Sequence, residues 1–229
     1  MHNQHLLSLL QLADPMLPIG GYAHSTGLET YTQEKLVHNG AGARMFITQM
    51  LERNIQYTDA ALVSLAWDAA AADDKNKIRQ LDDTCTAVKI PREIREASRK
   101  LGMRLIKLVQ PLGNSPATLF YAAAIAAQQA TGHYCIAFGL YAQALQIPRA
   151  DALTGFYYNA AAGMVTNSVK LIPLGQQEGQ ELLFSLQPLI RQLVQNTLQP
   201  DEDIIGLCCA GFDIRSMQHE QLYSRLYMS

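Results

Sequence analysis

The stretch PREIREASRKLGMRLIKLVQ, residues 91 to 110, carries Ile94, Ala97, Leu101, Leu105 and Leu108 at alternating steps of three and four. Steps of that size stack side chains on one face of an α-helix, whereas a strand exposes a new face at every residue. That face is expected to be core. The rest of the helix carries Arg92, Arg95, Arg99, Lys100, Arg104 and Lys107 against only Glu93 and Glu96, which makes it a solvated face or a strip for an acidic partner.

The same period recurs along the chain. In NSPATLFYAAAIAAQQATGH, Ser115 is placed to cap, Pro116 suits the first helical position where no donor is needed, and Gly132 suits a left-handed exit. IPRADALTGFYYNAAAGMVTNSVKLIP is expected to start at Pro148, to finish before Pro173, and to be central because its side chains are small and apolar. In GQQEGQELLFSLQPLIRQLVQNTLQ, Pro188 either bends one helix or divides two. GARMFITQMLERNIQY and DAALVSLAWDAAAADD add two more helices, the second running out into acidic loop residues. No alternating strand pattern competes, so the expected fold is all-α, with roughly eight to ten helices.

At 229 residues and 48% hydrophobic, the chain can bury one core, and residues 1–229 are expected to form a single domain. A net charge of −2 gives no global attraction to nucleic acid or an anionic membrane. The opening HNQHLLSLLQLAD lacks a basic region, and no apolar run approaches the roughly 18 residues of a membrane span. A soluble cytoplasmic protein is expected. Cys85, Cys135, Cys208 and Cys209 have no framework spacing, and buried thiols are the expectation.

DPMLPIGGYAHSTGLE, residues 14 to 29, admits three chemistries. Ala23-His24-Ser25-Thr26-Gly27 is close to a nucleophile elbow, with His219 and Asp213 as late partners, but that device needs a strand and a sheet. Gly20-Gly21 lacks the lysine and hydroxyl of a phosphate loop. Thr26 and Glu29 have capping-box spacing, and the two prolines stiffen a loop built for shape. His24, His133, Cys135, His219 and the Cys208-Cys209 pair are the soft or imidazole ligands, but their spacing does not assemble a closed metal site. No catalytic, cofactor or metal residue is therefore assigned.

The ending GFDIRSMQHEQLYSRLYMS, within residues 211 to 229, interleaves Arg215, His219, Glu220, Tyr223 and Arg225 with Ile214, Met217, Leu222, Leu226 and Tyr227. Arginine and aromatic anchors of this kind suit a protein interface, and segment 212–229 is the expected docking element.

LLSLLQLADPMLPIGGYAHSTGLE, REIREASRKLGMRLIKL, HYCIAFGLYAQAL, VKLIPLGQQEGQELL and DIRSMQHEQLYSRLYMS together resemble the UreF family of urease accessory proteins over nearly the whole length. The resemblance implies an all-helical, dimer-forming adaptor in nickel delivery to urease. Its partners would be the accessory protein UreD, also called UreH, the GTPase UreG and apo-urease, with metal and nucleotide chemistry left to them. On this reading Arg215, Met217, His219, Glu220, Tyr223 and Arg225 would dock UreD/UreH. Glu29 and Lys170 would face UreG. Alternatives are a serine hydrolase using Ser25 and a direct nickel carrier using His and Cys residues.

Overall fold

The computed structural model describes residues 4–21, 25, 27–207 and 210–220. Twelve α-helices and no strand occur among them: α1 Gln4–Leu12, α2 Leu28–Gln33, α3 Gly40–Gln49, α4 Asp59–Ala71, α5 Lys75–Val88, α6 Arg92–Val109, α7 Pro116–Ala126, α8 Tyr134–Ala144, α9 Arg149–Leu171, α10 Gln176–Ser185, α11 Gln187–Thr197 and α12 Ala210–His219. The all-α expectation holds. The helices outnumber the eight to ten expected because Pro188 divides rather than bends its stretch, opening α11, and because α2 and α5 have weak or polar patterns of their own.

Helix α8 is the hub, with every residue from Cys135 to Ala142 buried. A helix that is apolar all round has no face for water and must be enclosed. It is enclosed by α4, α6, α7 and α9. The contact with α4 is close because both surfaces are small: a Cβ on Gly139 would lie 2.6 Å from the Val63 carbonyl oxygen and 2.9 Å from Ala66 Cβ. One continuous apolar cluster then runs from Leu12 on α1 to Phe212 on α12.

The helix ends follow local chemistry. The Ser115 hydroxyl accepts from the Thr118 amide while Thr118 Oγ1 accepts from the Ser115 amide, a reciprocal box with Pro116 in the first turn. Gly132 is not the exit of α7. That helix stops at Ala126, and Gln128 takes the left-handed position, φ 58°, with Gln129 N–H donating to the Ala124 carbonyl. Gly132, φ 92°, instead shapes the loop into α8. That loop is organised by Asp82 of α5, which is fully buried and accepts from Tyr121 Oη, from Thr131 N at 2.5 Å, and from the amides of Gly132 and His133.

The amphipathic face of α6 is rotated from the one expected. Leu108 is exposed, while Ala97, Ser98, Gly102, Leu105, Ile106 and Val109 are buried. The shift follows from Gly102, where a Cβ would sit 2.1 Å from the Gly132 carbonyl oxygen, so the helix leans on the α7–α8 loop through its smallest residues.

Candidate partner-binding site

Helix α12 has two unlike faces. Inward point Phe212, Ser216 and His219, all buried; outward point Ile214 and Met217, 55% and 41% exposed, beside Gly211 and Gln218. The inner face lies against α2 and α6. Gly27, in the left-handed conformation at φ 77°, makes this approach possible, because a Cβ there would stand 3.1 Å from the Phe212 ring and 3.2 Å from Ser216 Oγ.

Polar contacts fix the same face. Thr30 Oγ1 donates to the Arg215 carbonyl at 3.2 Å, and Arg215 Nη1 pairs with Glu34 Oε2 at 2.5 Å and Gln218 Oε1 at 2.7 Å. The fully buried His219 ring lies between two carboxylates, with Nδ1 2.9 Å from Glu93 Oε2 on α6 and Nε2 3.2 Å from Glu29 Oε2 on α2. Which ring nitrogen donates depends on the tautomer, and the one imidazole is shared by both carboxylates. Glu29, 190 positions away in sequence, and Glu93, 126 away, are thus tied to a single ring.

The residues expected to meet partners separate accordingly. Glu29 and His219 are internal to this chain, bonded to each other and offering no surface. Arg215 is half-buried in its ion pair, whereas Met217 and Glu220 are exposed. Lys170, in the last turn of α9, is exposed. Tyr223 and Arg225 lie outside the described residues. Helix α2 begins after Gly27 with no side-chain cap bond, so Glu29 sits in the second helical position rather than the third that a capping box needs; Thr26 lies outside the described residues.

Three features bear on catalysis. Ser25 Oγ is buried with no hydrogen-bond partner, no strand among the described residues presents it, and both nitrogens of His219 are engaged by Glu29 and Glu93. No group of three His, Cys, Asp or Glu among the described residues is arranged to hold a metal ion. A cavity of about 260 Å³ lies between the α1–α2 loop, α6, α9 and α12, lined by Met16, Leu17, Ile94, Leu101, Phe156 and Met164. Its wall includes, beside Asp14 and Asp213, the ion pair of Lys89, 7% exposed, with Asp59, Nζ to Oδ2 2.8 Å. Burial pushes Asp59 up, but the Lys89 ammonium prevails and holds it below the ordinary carboxylate range; Lys89 is raised in turn despite its burial, chiefly by Asp59. The pair is the main electrostatic partner of each group.

Glu93, Glu34 and the Asp59–Lys89 pair were not singled out by sequence reasoning. Their partners lie 126, 181 and 30 positions away, and no local pattern encodes such pairs. No helix among the described residues is long and apolar enough to cross a membrane.

Against known proteins, the sequence model of the UreF family matches residues 37–187. A urease accessory protein UreF from Actinobacillus pleuropneumoniae serotype 5b is 47% identical over 222 residues, covering 97% of this chain and 98% of its own. One from Haemophilus influenzae strain Rd is 45% identical, covering 97% and 94%, and one from Bacillus sp. TB-90 is 32% identical, covering 98% and 99%.

Proposed function

Because the chain belongs to the UreF family of urease accessory proteins, and so has its role in urease maturation, we propose that it acts as a noncatalytic adaptor. In this reading it bridges UreD/UreH to the GTPase UreG and apo-urease in the cytoplasm, as a homodimer within that assembly, and modulates GTP-dependent nickel delivery. The observation that carries the reading is the division of α12: an inner face locked by His219, Phe212 and Arg215, and an outer face that leaves Ile214 and Met217 to water. Exposed apolar side chains on a helix pinned from behind form a rigid surface, and a rigid surface loses little entropy on docking. Met217, Glu220, Tyr223 and Arg225 are assigned to UreD/UreH. Arg215 and His219 act on that contact by setting the pose of α12. Lys170 is assigned to the UreG-facing surface, and Glu29 serves there through α2.

The reading is tested by co-expression with the urease operon and copurification of UreD/UreH and UreG. Removing residues 213 to 229 also removes His219, so its effect mixes anchoring with contact. Two further variants separate them: deletion of 221–229, which keeps the anchor, and Met217→Asp, which alters only an exposed side chain. Loss of UreD/UreH in both supports the reading; full retention in both overturns the docking role of the tail.

A further inference from the structure

Two thiols meet inside the protein. Cys85 of α5 and Cys135 of α8 are both fully buried and free, with Sγ to Sγ 3.5 Å. We propose that Cys85 and Cys135 form a peroxide-reactive dithiol that closes to an intramolecular disulfide joining α5 to α8.

Three observations support the assignment. The separation is already that of sulfurs in contact, and closing to the roughly 2.05 Å of a disulfide needs a shift of about 1.5 Å between two helices. Two basic side chains lie near the thiols: Lys89, itself paired with Asp59, stands one turn beyond Cys85 on the same segment, its amide donating to the Cys85 carbonyl at 3.2 Å, and the His133 ring is held by Ser98 Oγ at 3.1 Å and Thr86 Oγ1 at 2.9 Å. Burial by itself raises a thiol. Here the contact with the Cys135 thiol, with the nearby His133 ring and Lys89 charge, brings Cys85 down to about 6, while burial and the neighbouring sulfur push Cys135 up. The two sulfurs thus have distinct parts, an attacking thiolate and a resolving thiol.

Both thiols are fully buried and neither lines the cavity beside α6, whose wall includes Val88, Lys89, Ser98 and Tyr134, so their oxidation proceeds through local opening of the α5–α8 contact. Hydrogen peroxide, small and uncharged, is the oxidant that a brief opening admits most readily. The Cys85 thiolate attacks one peroxide oxygen, breaking the O–O bond to give the sulfenic acid and hydroxide, which takes up a proton to become water. The Cys135 sulfur then attacks the Cys85 sulfur, losing its proton as the S–O bond breaks and a second water departs. Two thiols are oxidised by one peroxide, which is reduced to two waters.

The test uses the full chain with Cys208→Ser and Cys209→Ser, treated with equimolar hydrogen peroxide under native conditions. The expected result is joint loss of both remaining thiols, a mass loss of two hydrogens, a Cys85–Cys135 link in the non-reducing peptide map, and restoration by dithiothreitol. The rate should reach its half-maximum below the pH at which an ordinary thiol ionises, as a merely packed thiol pair would not show. Peptide mapping of the unsubstituted chain gives the same answer without relying on the folding of the variant. Two intact thiols, a gain of oxygen without a link, or a rate that rises only near the pH of an ordinary thiol would each overturn the proposal.

Discussion

His219→Ala removes a side chain that joins α12 to both α2 and α6. The larger part of the loss lies on the Glu29 side, where the carboxylate is 2% exposed and the ring 0%. A hydrogen bond to a charged group contributes about 1.5–3 kcal/mol. Glu93 is 25% exposed and regains water, so its share is discounted to below about 1 kcal/mol. The sum is a loss of about 2–4 kcal/mol. It should fall on the docking of α12 rather than on the whole fold, because the rest of the core closes around α8. Amide hydrogen exchange resolved by segment is the assay: protection of 212–219 should drop by about 30- to 800-fold, while α8 and α4 change little. A double variant, Glu29→Leu with His219→Leu, replaces both partners by apolar groups and should recover more than half of the loss. Unchanged protection of α12 in His219→Ala would refute the assignment of this ring as the anchor.

Replacing Lys89 by Met leaves the Asp59 carboxylate stranded at the cavity wall and should cost about 2–4 kcal/mol at neutral pH by urea unfolding. Since Asp59 is held low in the folded chain, the pair's contribution is present at neutral pH and is lost as pH falls through that lowered value; for Lys89, held high, it is lost only as pH rises through the raised one. In the variant the Lys89 charge no longer opposes burial, which pushes Asp59 up, so the variant regains stability as that carboxyl protonates and the difference shrinks on acidification; a constant difference down to about pH 4 would contradict the pairing. Two glycine substitutions should have opposite signs. Gly139→Ala drives a methyl against the α4 backbone and should destabilise by about 2 kcal/mol, whereas Gly163→Ala on α9 meets nothing within 4 Å and should stabilise by up to about 1 kcal/mol in the same thermal melt. Ser115→Ala, which opens the reciprocal box of α7, should cost about 1 kcal/mol in that assay.

What the sequence disclosed divides by range. The period of α6, the Pro148 start and Leu171 end of α9, and the cap of α7 depend on residues within a few turns of one another, and they are found where the pattern puts them. Helix α5 was not singled out, since its buried residues are only Ile78, Leu81, Asp82 and Cys85, and one of them is a carboxylate whose purpose is set by a loop some 50 positions away. The rotation of α6 escaped for the same reason: Gly102 becomes a contact residue only once the α7–α8 loop lies against it. In the candidate site, the mixed chemistry of the tail marked α12 as a helix with business at its surface. It did not mark which residues face inward, because Glu29, Glu93 and His219 meet only through the tertiary fold.

The account turns on the outer face of α12. Isothermal titration of purified UreD/UreH with the parent chain and with Ile214→Asp/Met217→Asp, both verified as folded by circular dichroism, measures its contribution directly. Two exposed apolar contacts turned to carboxylates at the centre of an interface should weaken binding by about 100-fold, or about 2.7 kcal/mol. A dissociation constant unchanged within about twofold would contradict the account and move the partner surface elsewhere on the molecule.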